Sequence, residues 1–230
     1  MKIVRPGQAR GHADHGWLKT YHTFSFADYY DPEQMGFGPL RVINEDFVAP
    51  GKGFGMHSHN DMEIVTIILQ GALQHRDDMG NSSIINAGEV QRMTAGKGVM
   101  HSEMNPSSTT SAHLLQIWIQ PQTRGLAPSY EQKPFLPMPG EKSRLLVSPD
   151  GRDGSLRINQ RANISRLSLA AGQSFAADLS SQAWVQVVSG NLRCAEFTLQ
   201  SGDGLAVEGE KHLQLEAGSD SSAILFDLGR

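Results

Sequence analysis

Two short motifs concentrate the side chains able to do chemistry: His57-Ser58-His59 and His101-Ser102-Glu103. Each places two ligand-capable groups two residues apart, in Gly-punctuated stretches that read as strands. Such residues share one face of a strand and stand roughly 6.6 Å apart along it. Two imidazoles reaching inwards to bonds of about 2 Å can close on one ion from that separation. A neighbouring strand about 4.8 Å away can bring up the second pair. The spacing therefore predicts a metal centre of three imidazoles and one carboxylate: His57, His59, His101 and Glu103. Glu63 shares strand parity with His57 and His59, so the residues leave a second carboxylate in contention. This donor set suits one divalent ion of iron, nickel, copper, cobalt or manganese, with selectivity left to geometry and supply. A six-coordinate ion would keep two positions for a chelating substrate, or for one substrate oxygen beside dioxygen.

The elements that must position these groups read as strands throughout. Glu63 to Leu69, His113 to Ile119 and Ala183 to Val188 are short and β-branched, and Gly, Asn, Asp or Pro bounds most such runs. Helical periodicity is weak, and turn signals recur at short intervals, which predicts an all-β sandwich or barrel. A faint repeat joins the halves: Ile64 to Leu73 resembles Trp184 to Leu192, and Ala87-Gly88-Glu89 resembles Ser201-Gly202-Asp203. Aligned on Gly71 and Gly190, the positions of His57 and His59 become Ala176 and Asp178. Metal binding is therefore expected only in the N-terminal half. The expected division is a metal-binding domain over 1–125, a Pro-rich connector over 126–142 and a second domain over 143–230.

Bulk properties exclude several classes. The 230 residues are 39% hydrophobic and 19% charged, with a formal net charge of -4. That balance argues against nucleic-acid binding driven by a positive field. No apolar run approaches the length of a membrane span, and the opening residues lack the apolar core of a signal peptide. The lone Cys194 excludes an internal disulfide and a cysteine metal cage, and is expected to pack as a small apolar group. Cytoplasmic residence follows as the expectation.

Gly51-x5-His57-x-His59-x3-Glu63, followed by Gly71, approximates the first motif of the cupin superfamily, with one extra residue before the last glycine. Gly98-x2-His101-x3-Asn105 fits the end of the second motif, whose usual Pro-x-Gly is absent; Asn86-Ala87-Gly88 is nearest. The run from Gly16 to Ala27, together with Asp61-Met62-Glu63 and Gly96-x-Gly98-x2-His101-Ser102-Glu103, more closely resembles the pirin family. The likeness extends over nearly the whole chain. It implies a bicupin, two tandem jelly-roll β-barrels, with a single metal, usually Fe(II), in the first. It also implies that the ligands are His57, His59, His101 and Glu103. That choice leaves Glu63 as a supporting group able to orient a ligand imidazole.

Some bacterial members of the resembled family are quercetin 2,3-dioxygenases, and others are metal-dependent transcription cofactors, so the fold alone does not decide function. Under the dioxygenase expectation, a flavonol binds through its 3-hydroxyl, the metal acidifies that proton, and Glu103 accepts it as general base. The resemblance implies that oxygen then opens the heterocycle and carbon monoxide is released. The expected partners are a small planar aromatic substrate and O2. The alternative, from another class, is a metal- or redox-sensing regulator acting through a protein partner. Aromatic-lined access to the metal favours the enzyme, whereas a small or polar cavity favours the regulator. A third reading, a zinc isomerase, would need phosphate-binding cations, and only Lys52, Arg92 and Lys97 flank the ligands. The remaining histidines receive structural expectations: His75, on the strand after Gly71, at the surface or else facing the pocket, His212 at the surface, His113 against its strand, and His12, His15 and His22 in the opening segment. Phe24, Phe26, Met56 and Met104 are core residues that could also wall an aromatic substrate.

Overall fold

The computed structural model describes residues 1–229 and is all-β, with two single-turn 3-10 segments. The chain opens with β1 (Lys2–Arg5) and continues with β2 (Gly11–Asp14), β3 (Leu18–His22), β4 (Leu40–Val48), β5 (Gly53–His59) and β6 (Glu63–Gln70). Next come β7 (Ala72–Asp77), β8 (Ser82–Asn86), β9 (Glu89–Thr94), β10 (Val99–Met104), β11 (Ala112–Ile119) and β12 (Ser129–Pro134). Residues Gly11–Leu136, joined by Ile158–Gln160, form one unit. Its strands make a four-stranded sheet, β5-β10-β7-β8, and a seven-stranded sheet, β12-β9-β6-β11-β4-β3-β2. Ile68, Leu73, Ile85, Leu114 and Val48 form one apolar cluster inside it. Each such side chain, fully buried, contributes roughly 1.5–3 kcal/mol.

The second unit holds residues 1–10, 137–157 and those from Arg161 onwards. Its own strands are β13 (Ser143–Ser148), β14 (Leu156–Arg157), β15 (Ala162–Leu169), β16 (Ser174–Asp178), β17 (Gln182–Ser189), β18 (Asn191–Cys194), β19 (Phe197–Gln200), β20 (Gly204–Glu208), β21 (His212–Ala217) and β22 (Ser221–Leu228). They form the sheets β16-β21-β18-β19 and β1-β20-β17-β22-β15-β13-β14. Leu169, Val185, Leu199, Leu205, Leu213 and Leu225 are among the side chains that fill this unit. Cys194 is buried within the same cluster.

Two assignments at the domain edges differ from the sequence reading. Met1–Arg10 belong with the second unit, because β1 pairs antiparallel with β20, Ile3 opposite Ala206. The Pro-rich stretch over 126–142 is not simply a connector, because Ser129–Pro134 pair with β9. In both cases a short strand covers a sheet edge that would otherwise expose unpaired backbone groups. Pro134 closes its strand on that edge, where a proline is tolerated. No helix among the described residues is long and apolar enough to cross a membrane.

The faint repeat has a structural counterpart. Gly71 links β6 to β7 at φ +74°, and Gly190 links β17 to β18 at φ +76°. A Cβ on Gly190 would lie 2.3 Å from the Asp220 carbonyl oxygen. Gly172 has nearly the same φ, +77°, but open space around it. Gly172→Ala should cost only the left-handed backbone penalty of about 1–2 kcal/mol. Gly190→Ala must add backbone displacement, so calorimetry should find its unfolding midpoint lower than that of Gly172→Ala.

Candidate metal centre

Strands β5 and β10 pair antiparallel with His57 opposite His101 and His59 opposite Val99. The register then shifts, leaving Glu103 opposite Phe54. The shift puts one extra residue on β5, a bulge of the kind that re-aims neighbouring side chains. Ring centroids lie 4.4 Å apart for His57 and His101, 4.7 Å for His57 and His59, and 4.9 Å for His59 and His101. Each of these three residues offers a ligand atom within 4.8 Å of the others. Glu103 falls in a second such group, with His101 and His75. His101 belongs to both. Among the described residues, both groups lie in the Gly11–Leu136 unit.

The imidazoles are prepared to receive an ion. His57 Nδ1 stands 2.7 Å from the Gly55 carbonyl oxygen, which can only accept, so this nitrogen carries a proton and Nε2 is the atom available to a metal in the neutral ring. His75 Nε2 is 3.0 Å from Asp77 Oδ2, which likewise leaves the His75 Nδ1 lone pair free. His101 Nδ1 faces that lone pair at 3.5 Å. The proton order from Asp77 through His75 therefore leaves His101 Nε2 unprotonated, and this buried atom has no hydrogen-bond partner. Burial, reinforced by the neighbouring His57, lowers His59 to about 4. Burial, with the charges of His57, His59 and His75, lowers His101 to about 3. Neutral imidazole is the ligating form. The residues present thus fit a divalent metal, which His57, His59 and His101 would hold with Glu103 at hand.

Glu103 is 1% exposed, and burial pushes its carboxyl up to about 7. Gln91 Nε2 donates to one oxygen at 2.8 Å and Gln116 Nε2 to the other at 2.8 Å. Thr66 binds both glutamines, donating to Gln116 Oε1 at 2.9 Å and accepting from Gln91 Nε2 at 3.0 Å. These three residues are register neighbours on β9, β6 and β11. They place a short buried polar row across the three strands.

Beside this cluster opens a cavity of about 420 Å³, lined by Trp17, Phe26, Phe54 and Trp118 together with His57, His59 and Glu103. Trp118 meets His59 edge to face at 4.8 Å and Phe26 at 5.3 Å.

The Pirin family matches residues 3–119, and the family described as the quercetinase C-terminal cupin domain matches residues 145–228. The chain is 47% identical to "Quercetin 2,3-dioxygenase" of Escherichia coli K12, over 99% of each chain. It is 38% identical to a "Pirin-like protein" of Caulobacter vibrioides, over 97% of each. The crystal structure of the bacterial pirin YhhW from Escherichia coli, in complex with nickel(II), superposes with a TM-score of 0.95 at 46% identity, over 100% of this chain and 99% of that one. The chain belongs to the pirin family.

Both halves of this pirin-family chain are cupin domains, and the structure revises several residue assignments. Glu63 does not orient a ligand imidazole: its carboxylate accepts from Thr94 Oγ1 at 3.0 Å and from Asn159 N and Nδ2 at 3.3 Å. Strand parity fails because Asp61, at φ +46°, turns the chain from the four-stranded sheet into the seven-stranded one. His75 is not at the surface; it is fully buried, stacked on Tyr130 at 4.6 Å. It orients His101 instead, and its two-residue spacing from Asp77 was the available signal. Of the proposed aromatic or thioether walls, only Phe26 lines the cavity; Phe24 is in the core and Met56 is exposed. Trp17, Phe54 and Trp118 were missed because strand periodicity does not tell an apolar wall from core. His22 bonds to Asn44 at 2.8 Å, His113 pairs with Glu45 at 3.0 Å, and exposed His212 pairs with Asp178 at 2.6 Å.

His75→Phe preserves ring packing but removes the acceptor that orders His101. Partners of ligand histidines typically support affinity by about 10–100-fold. Isothermal titration with Ni(II) should therefore give a loss of that size for His75→Phe and a larger one for His101→Ala, with His75→Gln recovering part of it.

Proposed function

We propose that this chain is a metal-dependent dioxygenase that cleaves quercetin or a related flavonol with O2 and releases carbon monoxide. Its centre would hold one divalent ion on His57, His59, His101 and Glu103, with Fe(II) as the family expectation; a solved relative carries nickel(II). The observation that carries the reading is that His57 and His59, two of the three clustered imidazoles, open onto an aromatic-walled cavity of about 420 Å³. That volume falls within the roughly 300–1,000 Å³ usual for small-molecule sites. Relatives bearing the quercetin 2,3-dioxygenase name at 47% and 46% identity support it.

A bound divalent metal supplies Lewis acidity to a substrate oxygen and a route to dioxygen chemistry. The chain's own residues do the rest. Trp17, Phe26, Phe54 and Trp118 hold a flat ring system and exclude water. Glu103 accepts the proton of the flavonol 3-hydroxyl. In the metal-free protein burial raises its carboxyl above the usual carboxylate range, which strengthens it as a base. Gln91 and Gln116 hold that carboxylate from both sides.

Metal-loaded protein should consume quercetin in air with matching release of carbon monoxide, and should leave it untouched under anaerobic conditions. Metal retained without oxygen-dependent flavonol loss would sink the enzymatic reading. Glu103→Gln should lower kcat by about 10²–10⁴-fold and reduce metal content far less. Equal loss of both would limit Glu103 to ligation.

A further inference from the structure

Asp46 and Thr20 pair in register on β4 and β3, and both line the cavity. They are 3% and 2% exposed, yet Asp46 Oδ1 and Thr20 Oγ1 have no hydrogen-bond partner. Leaving a buried oxygen unpaired costs about 1–3 kcal/mol, so each such atom calls for an explanation. The buried side chains beside them on the same face are paired: Asn44 with His22, and Gln116 with Glu103 and Thr66. Burial raises Asp46 only to about 6, so it is ionised at neutral pH. The facing Thr20 hydroxyl offsets part of that rise.

The register locates this pair along the cavity. On β11 and β4, Trp118 stands opposite Val42, Gln116 opposite Asn44, and Leu114 opposite Asp46. Trp118 contacts His59, and Gln116 holds Glu103. Asp46 therefore lies two residues beyond the Glu103 level, roughly 7 Å along the strand direction, on the side away from Trp118. A ligand that hands one hydroxyl proton to Glu103 and extends past it meets the Asp46 and Thr20 side chains at its far end.

We propose that Asp46 and Thr20 form a second polar subsite, which accepts a hydrogen bond from a hydroxyl on a ring remote from the reacting one. The cavity then selects polyhydroxylated flavonols over those carrying the 3-hydroxyl alone. This inference rests on the flavonol reading above.

Anaerobic titration of the metal-loaded protein, followed by tryptophan fluorescence because Trp17 and Trp118 line the cavity, tests it with two probes, quercetin and 3-hydroxyflavone. The wild type should bind quercetin about tenfold or more tightly than 3-hydroxyflavone, the factor expected for one hydrogen bond to a charged group. In Asp46→Leu that preference should collapse. Asp46→Asn and Thr20→Val, which keep side-chain shape, should each reduce it if Asp46→Leu does not fold. Equal wild-type affinity for the two probes, or equal losses for both in the variants, overturns the subsite. Binding of neither probe overturns the flavonol reading and the subsite with it.

Discussion

A carboxylate shut away from water is tolerated only where donors surround it, and the first barrel is arranged to surround Glu103. Gln91 and Gln116 close on its two oxygens, and Thr66, on the strand between theirs, links the two. Each of these side chains would be costly in an apolar sheet if left alone. Together they bond to one another and to Glu103, with Gln91 Oε1 left over, and the register of β9, β6 and β11 is what lets them do so. A slip of one residue would turn the whole row to the other face. The polar row therefore ties the pairing of the seven-stranded sheet to the position of the carboxylate that serves the four-stranded one.

The same economy governs the histidines. His101 is fully buried and cannot be left protonated, so its two nitrogens are assigned opposite tasks by what they face. His75 and Asp77 fix one nitrogen as a donor, and the other is left without a protein partner. His57 reaches the same state more cheaply, through the carbonyl of Gly55 at the bulge. The site is thus built from backbone irregularity on one strand and a buried side-chain relay behind the other.

The second barrel shows what the framework becomes when these constraints are removed. Across β16 and β21, Ala176 stands opposite Gln214, and Asp178 pairs with His212 in solvent. Its interior is closed by leucine and valine instead. The glycine turn before the second strand of each four-stranded sheet persists, because chain reversal there needs a left-handed residue whether or not a metal follows. Turn geometry and ligand chemistry are therefore separable parts of the repeat.

Much of this was written in residue order. One His-x-His and one His-x-Glu pair in strand-like, Gly-bounded runs announced that His57, His59 and His101 come together. Alternating apolar runs announced the β architecture, and offsets from Gly71 and Gly190 announced that the halves differ. These features are local, and period two carries them directly into which residues share a face. What the linear order could not carry was anything that depends on where one strand meets another. Strand parity put Glu63 with the histidines, but a left-handed turn at Asp61 sent it to another sheet. His75 read as a surface residue until β7 was found beside β10. Met1–Arg10 and Ser129–Pro134 went to sheet edges that no local pattern marks. The sequence by itself determined which chemistry is available; only the tertiary structure decided which groups stand around it, because pairing partners and their register are set by long-range contacts.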